Sequence, residues 1–521
     1  MILYGMTDRT TTAGPASRRR ARAAALVGLL AMAAAPSPWR LSDEGRRALD
    51  AVRADSLRGH LSFLASDSLG GRVTPSIGQD VAAEYVAAQF RRAALEPLGD
   101  DGYFQRAPAV VATPRADGFR FSIALPDGVV EIGPDAFRMR SVESVALDDV
   151  AMVKRPAGTA GDLAAVSGQA VLTELPALPA GPDRREAYVK RQQWMRALLA
   201  AGPAVVVALD RAQRSPTGYF QTSELVEPVS ASRLQGRVVT TASPELVRAY
   251  EALPAGRVAG RLTLRIAEPQ RESVRLRNVA GLLRGSDPRL ADTYVLVTAH
   301  YDGTGPRPGS AGPDRIWNGA NDDGSGTVGV IELASALSRL STRPRRSIVF
   351  MAFFGEEQGL VGSSYYAAHP LVPLARTVAD INLEHLGRTD STEGQSKAGT
   401  ASLTGFDYSD LPAIVQAAGR ATGVDVYRDA RRSDAFFAAS DNYPLAREGV
   451  VAHTVSVLYD DWVDYHGPGD EWPKVDFANM ERTVRMVGAA VLMVADRVEP
   501  PRWRTDVAGA APFREAAQGG H

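Results

Sequence analysis

Tyr294-Val-Leu-Val-Thr-Ala-His300-Tyr301-Asp302 is an apolar run that ends on an imidazole and a carboxylate. A run this short and this free of charge is the pattern of a strand buried on both faces. Downstream, residues 326–340 place Val330, Leu333, Ala334 and Leu337 on one helical face. Arg346-Ser-Ile-Val-Phe-Met-Ala-Phe-Phe is a second buried strand, and Thr377-Val-Ala-Asp-Ile-Asn-Leu opens a third. Uninterrupted apolar strands alternating with helices predict an α/β fold: a mixed, mostly parallel sheet with helices on both faces.

Working outward, residues 17–35 run from Ser17-Arg-Arg-Arg-Ala-Arg into an apolar stretch ending Ala33-Ala-Ala, before Pro36. That layout predicts a secretory signal peptide over 1–35, export to the periplasm or the exterior, and no stable membrane insertion after cleavage. The apolar stretch is well short of the ~20 residues a membrane span takes. Residues 36–119 are expected to be the helical N-terminal part of the main domain, with Ala82, Tyr85, Val86 and Phe90 forming one apolar stripe. Residues 120–268 change character. Short β-like runs alternate with Pro/Gly-rich breaks and one helical stretch, 185–201, which predicts an inserted mixed α/β module. It shows no titratable cluster, and no chemistry is assigned to it. Residues 269–503 form the remaining α/β domain, and the Ala/Gly-rich residues 504–521 are expected to be a flexible tail.

Composition narrows the chemistry. Among 521 residues, 59 Lys and Arg nearly balance 60 Asp and Glu, so no basic field for nucleic acid exists. The chain has no cysteine, which excludes disulfides, thiolate catalysis, iron–sulfur clusters and Cys-rich zinc sites. A transition metal here must be held by imidazole and carboxylate. Nothing in the sequence sets an oligomeric state.

Polar residues recur where strands end. His300 and Asp302 close the first strand, Gly319-Ala-Asn-Asp-Asp-Gly-Ser-Gly opens the next helix, and Glu356 and Glu357 follow the second strand. Glu384 ends the third, and Tyr465-His466-Gly-Pro-Gly-Asp470 lies in a late loop. In open α/β sheets these carboxyl ends face the ligand crevice. Carboxylates converging there would repel one another, and a divalent cation removes that penalty. Two His and three carboxylates suit two metals sharing one carboxylate, about 3.5–4 Å apart. Imidazole with carboxylate suits zinc, with cobalt or manganese as substitutes.

In order, Asn278-Val-Ala-Gly, Thr298-Ala-His-Tyr-Asp, Gly319-Ala-Asn-Asp-Asp-Gly-Ser-Gly, Phe354-Gly-Glu-Glu-Gln-Gly-Leu-Val-Gly-Ser, Asn382-Leu-Glu-His-Leu-Gly-Arg and Asp464-Tyr-His-Gly-Pro-Gly-Asp resemble the catalytic domain of the M28 zinc metallopeptidases. That family includes double-zinc aminopeptidases and glutamate carboxypeptidase. Residues 61–72 resemble the leader of its longer members, and 120–268 their protease-associated insert. The resemblance implies two zinc ions, one on His300 and Glu384, one on Glu357 and His466, with Asp322 bridging. It implies Glu356 as general base, Tyr465 as donor to the oxyanion, and Asp302, Asp323 and Asp470 as supports of the ligands. A cis peptide is implied after Asp322. One departure stands out: Glu384 occupies a position more commonly Asp. His385 beside it faces away if the strand continues, and is read as structural. Phe436 and Phe437, before Ser440-Asp441-Asn442, are candidates for the pocket wall or for the core.

The function expected is an exported aminopeptidase acting on peptide or protein termini. A carboxypeptidase or dipeptidase of the same family is the alternative, with Arg388, Arg431 and Arg432 as carboxylate-binding candidates whose stronger reading is as surface arginines. A non-catalytic binding protein on the same scaffold is the reading of another class.

Overall fold

Continuous apolar runs end up where no water reaches them: every residue of Ser347–Phe353 is buried, as is all of Tyr294–His300 but its first residue. These coordinates come from a computed structural model. It describes residues 41–519 apart from 140–141, 159–162, 180–182, 212–218, 222, 228–235 and 307–312. The expected signal segment, 1–35, lies outside the described residues. No helix among the described residues is long and apolar enough to cross a membrane.

The larger of two main sheets has ten strands, of which seven place the site. They are β1 Phe104–Thr113, β2 Gln270–Leu283, β3 Tyr294–His300, β4 Ser347–Phe353, β5 Thr377–Leu383, β6 Thr400–Leu403 and β7 Ala452–Ser456. Their order in space is β6-β7-β5-β3-β4-β2-β1. The central strands β4, β3, β5 and β7 are parallel, and antiparallel pairing of β2 with β4 and of β6 with β7 flanks them. Parallel strands bring all their carboxyl ends to one side of the sheet. His300 is the last residue of β3, Glu356 comes three residues after β4, and Glu384 directly follows β5.

Six helices matter here: α1 Ala54–Leu64, α2 Ile77–Arg92, α3 Arg184–Ala200, α4 Ser325–Leu337, α5 Phe477–Asp496 and α6 Ala511–Gly519. Only Ser335 of α4 escapes full burial, so this helix is apolar nearly all round, as a central helix must be. It packs on β3 and is covered by α1, α2 and α5. Polar links cross that packing at Glu332 of α4, which takes the Ser56 hydroxyl of α1 at 2.5 Å and lies 3.0 Å from His60 of α1, itself 2.8 Å from the Tyr85 hydroxyl of α2.

Between Arg120 and Ile266 the chain builds a separate eight-stranded sheet around Phe121, Phe137, Leu172, Val207 and Leu262. Helix α3 covers it through Met195 and Leu198. Two elements depart from the sequence reading. Residues 104–113, expected within a helical N-terminal part, are strand β1, paired with β2 along its whole length. Its buried Gln105, Ala107 and Ala109 alternate with exposed neighbours, the two-residue period of a strand. Within the expected flexible tail, 504–521, residues Ala511–Gly519 are the ordered helix α6. Its one aromatic, Phe513, packs against Phe437 at 5.0 Å and Trp503 at 5.2 Å between ring centroids. Ala517 lies so close to Gly449 that a Cβ there would sit 2.5 Å from its Cα.

Candidate metal centre

The loop between β3 and α4 turns on Gly319, at φ +57, where a Cβ would come within 2.3 Å of the Asp322 carbonyl oxygen. That turn delivers Asp322 to the carboxyl ends of β3 and β5. Asp470 holds it there, accepting the backbone N–H groups of Asn321 at 2.9 Å and Asp322 at 3.0 Å. Asp323 caps α4, accepting the Gly326 N–H at 2.8 Å. The Asp322–Asp323 peptide is cis.

Around Asp322 the side chains form two groups. His300 and Glu384 join it in one, Glu357 and His466 in the other, and within each group the donor atoms lie within 4.8 Å of one another. His300 Nε2 is 3.4 Å from Asp322 Oδ1, and His466 Nε2 is 3.0 Å from Asp322 Oδ2 and 3.5 Å from Glu357. Asp302 Oδ1 sits 3.5 Å from His300 Nδ1 and accepts the Glu356 N–H at 3.1 Å, while Oδ2 accepts the Thr74 hydroxyl. One carboxylate thus positions an imidazole, the backbone of Glu356 and the chain near α2.

His300 Nε2, on the Asp322 side of the ring, and Glu357 Oε1 are buried with no hydrogen-bond partner. Buried polar atoms in folded proteins are paired, so orphaned donor atoms focused on a shared carboxylate fit divalent cations. The chemistry of the set, imidazole and carboxylate without sulfur, fits zinc.

Charge tells the same story. Burial, reinforced by Glu384 and Glu357, pushes the Glu356 carboxyl well above its ordinary range. Burial and Asp322 push Glu357 up to about 7. Burial also pushes Asp470 and Asp441 up to about 7. Asp322 goes the other way: against burial, the imidazoles of His385, His300 and His466 hold it well below the usual range. In protein stripped of metal, the raised carboxyls keep protons that the unfolded chain releases above about pH 4.5, so their stabilising contribution is lost as pH climbs through about 7. The melting temperature of chelator-treated protein is therefore expected to fall between about pH 5 and pH 8, and added zinc to close the gap. A melting temperature that rises over that window, or ignores zinc, would contradict the site's electrostatics.

The centre floors a cleft of about 860 Å³. Its wall corrects the sequence reading of the insert. Helix α3, in a module to which no chemistry was assigned, lines the cleft with Arg185, Tyr188, Gln192 and Arg196. Arg185 lies over the Phe436 ring at 4.4 Å and donates to the Ala435 carbonyl. Phe436 is thus a wall residue, whereas Phe437 packs into the core with Tyr408, His453 and Trp503. Arg388 and Arg432 are not surface residues either. Arg388 is buried against Asp390 and Asp464, Arg432 against Glu393 and Asp429, and neither lines the cleft. Tyr465 stacks on His466, ring centroids 4.1 Å apart.

Two residues at the centre escaped the sequence reading of the site. Strand β5 does not continue past Glu384; His385 takes φ +58 and swings its ring inward, Nε2 3.3 Å from Asp322 Oδ1. Arg72 is buried beneath the loop and donates to the carbonyls of Tyr301, Leu64, Asn318 and Gly319 at 2.6–2.9 Å. The signal for Arg72 was its place in the Gly71-Arg72 leader motif; for His385 it was only adjacency to a ligand.

The donor set gathered at the strand ends is of the kind a zinc site uses. Residues 278–491, about two fifths of the chain, match the model of peptidase family M28. A probable zinc metalloprotease of Leptosphaeria maculans is 34% identical over 122 residues, 23% of this chain and 27% of its own. Aminopeptidase YwaD of Bacillus subtilis is 37% identical over 111 residues, 21% of this chain and 22% of its own. The chain thus spans about a quarter of the length of the curated relatives it matches. Among solved structures, an aminopeptidase from Aneurinibacillus sp. strain AM-1 has the same fold, with TM-score 0.57 over 88% of this chain and 98% of its own at 19% identity. BSAP, a zinc aminopeptidase from Bacillus subtilis, matches with TM-score 0.52 over 88% and 97% at 19% identity.

Proposed function

We propose that the chain is an exported di-zinc aminopeptidase that hydrolyses the N-terminal bond of peptides or proteins. The observation that carries this reading is the pair of ligand groups sharing Asp322 on the floor of a cleft that also exposes Glu356 and Tyr465. Export rests on the basic and apolar leader within residues 1–35.

His300, Glu384, Glu357, His466 and the bridging Asp322 would hold the cations, zinc by preference and cobalt or manganese as substitutes. Bound there, they would supply a water of lowered pKa, towards ~7, and a Lewis acid for the scissile carbonyl. Glu356 stands outside both ligand groups, Oε2 3.9 Å from His300 Nε2, placed to take a proton from the attacking water and return it to the leaving amine. Burial and the surrounding carboxylates push the Tyr465 hydroxyl well above its ordinary pKa, so it stays protonated and donates to the developing oxyanion. Asp302 and Asp470 keep the ligands in place.

Three features favour the N-terminal direction. Asp434 and Glu224 line the cleft with negative charge suited to a free ammonium group. Arg388 and Arg432 are taken up by their own carboxylates. The solved structures sharing the fold include two titled aminopeptidases. A second reading, release of C-terminal residues or dipeptides, draws on Arg185 and Arg196, which put positive charge on the cleft wall.

Peptides blocked at one end or the other separate the two. An N-acetyl cap is expected to abolish hydrolysis and a C-terminal amide to leave it intact, with metal content measured on the same sample. Cleavage of the acetylated peptide alone would establish the second reading, and a metal-replete protein that cleaves neither would remove the enzymatic one. The insert, read as a protease-associated module, then acts as part of the substrate cleft through α3.

A further inference from the structure

His385 has no role in the reading above, yet its ring is part of the centre. Only 3% of the residue is exposed, and Nε2 has no hydrogen-bond partner. That nitrogen stands 3.3 Å from Asp322 Oδ1 and 3.5 Å from Glu384 Oε1. His300 Nε2 stands 3.4 Å from the same Asp322 oxygen. Four ligands held tetrahedrally 2.0–2.1 Å from one ion are about 3.3 Å from each other. The two separations at His385 are close to that figure.

The backbone makes this placement deliberate. Beyond Glu384 the chain turns through φ +58 at His385 and is clamped from outside its own strand. Ser325 Oγ accepts the Leu386 N–H at 2.9 Å, and Asn321 Oδ1 accepts those of Gly387 at 2.7 Å and Arg388 at 3.0 Å. The Val457 N–H donates to the His385 carbonyl at 3.3 Å. The loop that carries Asp322 therefore also fixes the turn that carries His385. Edge-on contacts with Tyr465 and Trp462 hold the ring's other side.

We infer that His385 is a fourth protein ligand at the cation position of His300, Asp322 and Glu384. This rests on the metal-centre reading above and deepens it, because the two positions become unequal. The first is closed by four side chains, with His300 and His385 both buried. The second has Asp322, Glu357 and His466, whose side chain is 39% exposed, and it keeps an open place towards the cleft. Closed four-ligand sites hold metal structurally, whereas open three-ligand sites admit water and substrate. The first cation is thus the tightly held one, and the second is the one that exchanges.

The test uses the full chain, stripped with chelator and titrated with cobalt while visible absorption and binding heat are followed. The expected result is two steps, the first tighter and carrying the strong absorption of four-coordinate cobalt. In His385→Gln, a side chain that can still hydrogen-bond Asp322, the first step is expected to weaken more than ~100-fold, beyond the 10–100-fold typical of losing an outer partner. The second step and the far-ultraviolet circular dichroism of the stripped protein stay as in the parent. A first step within tenfold of the parent with an unchanged spectrum would reduce His385 to a positioning residue and overturn the inference. The parent's spectrum tests it without any variant: a first equivalent bound with five or six ligands also overturns it. A parent that binds no cobalt or zinc at all would instead bring down the metal-centre reading itself.

Discussion

Glu356→Gln protein is expected to fold and take up metal as the parent does while losing about 10²–10⁴-fold in kcat/KM. The side chain sits at the cleft floor yet belongs to neither ligand group, so its replacement leaves both intact. Its backbone position depends on the N–H donated to Asp302, which glutamine retains. What the amide lacks is a site for a proton. Burial and the neighbouring carboxylates push the Glu356 carboxyl upward, making it a stronger base than an ordinary glutamate. Kinetics and metal analysis on one preparation decide the matter. Turnover within tenfold of the parent would remove Glu356 as the base, and loss of metal in step with loss of turnover would make it a ligand instead.

The second large effect is on stability. Arg72→Met is expected to destabilise the folded protein by about 3–5 kcal/mol, the usual result of breaking a buried charge arrangement by removing one partner. Arg72 is 1% exposed, and its guanidinium donates to Tyr301 at the end of β3, to Leu64 at the end of α1, and to Asn318 and Gly319 at the start of the Asp322 loop. Burial works against its charge, and Asp302, Asp470, Asp323 and Asp322 sustain it. Methionine fills similar volume but takes the guanidinium donor from the carbonyls of Tyr301, Leu64 and Asn318, leaves Gly319 only the Gly324 N–H, and removes a positive charge that faces four acids. Arg72→Lys keeps the charge and loses the planar fork, so most of the loss is expected to remain. Denaturant unfolding of metal-loaded samples measures it. A midpoint equivalent to less than about 1 kcal/mol of loss would show that the loop holds its shape without this residue.

How much of the centre could be read in advance follows from where each residue lies. His300, Glu357, Glu384 and Asp322 follow apolar runs or open a helix, and a parallel sheet brings such positions together whatever the loops do. Asp302 is two residues from its partner, and Asp470 sits in the same loop as His466. His385 is different. Alternation along a continuing strand turns it away, and only the clamps from Asn321 and Ser325, more than sixty residues earlier, reverse it. The insert misled for a related reason: its sequence carries no catalytic cluster, and its helix matters only because folding brings α3 across the cleft. The tail misled because a short Ala-rich helix has little propensity signal of its own, and one phenylalanine seated among Tyr408, Phe437 and Trp503 holds it.

By itself the amino-acid sequence determined the alternation of buried strands and helices, the absence of thiolate ligands, and the motifs that the strand ends carry. Those properties are local: burial period, residue chemistry and short spacings survive without a fold. The tertiary structure alone decided that β1 closes into the catalytic sheet, that Arg72 lies beneath the Asp322 loop, that α3 walls the cleft, and that His385 points inward. Each depends on contacts between segments far apart in the chain, and a side chain's direction at the end of a strand is set by whatever the next turn is bonded to.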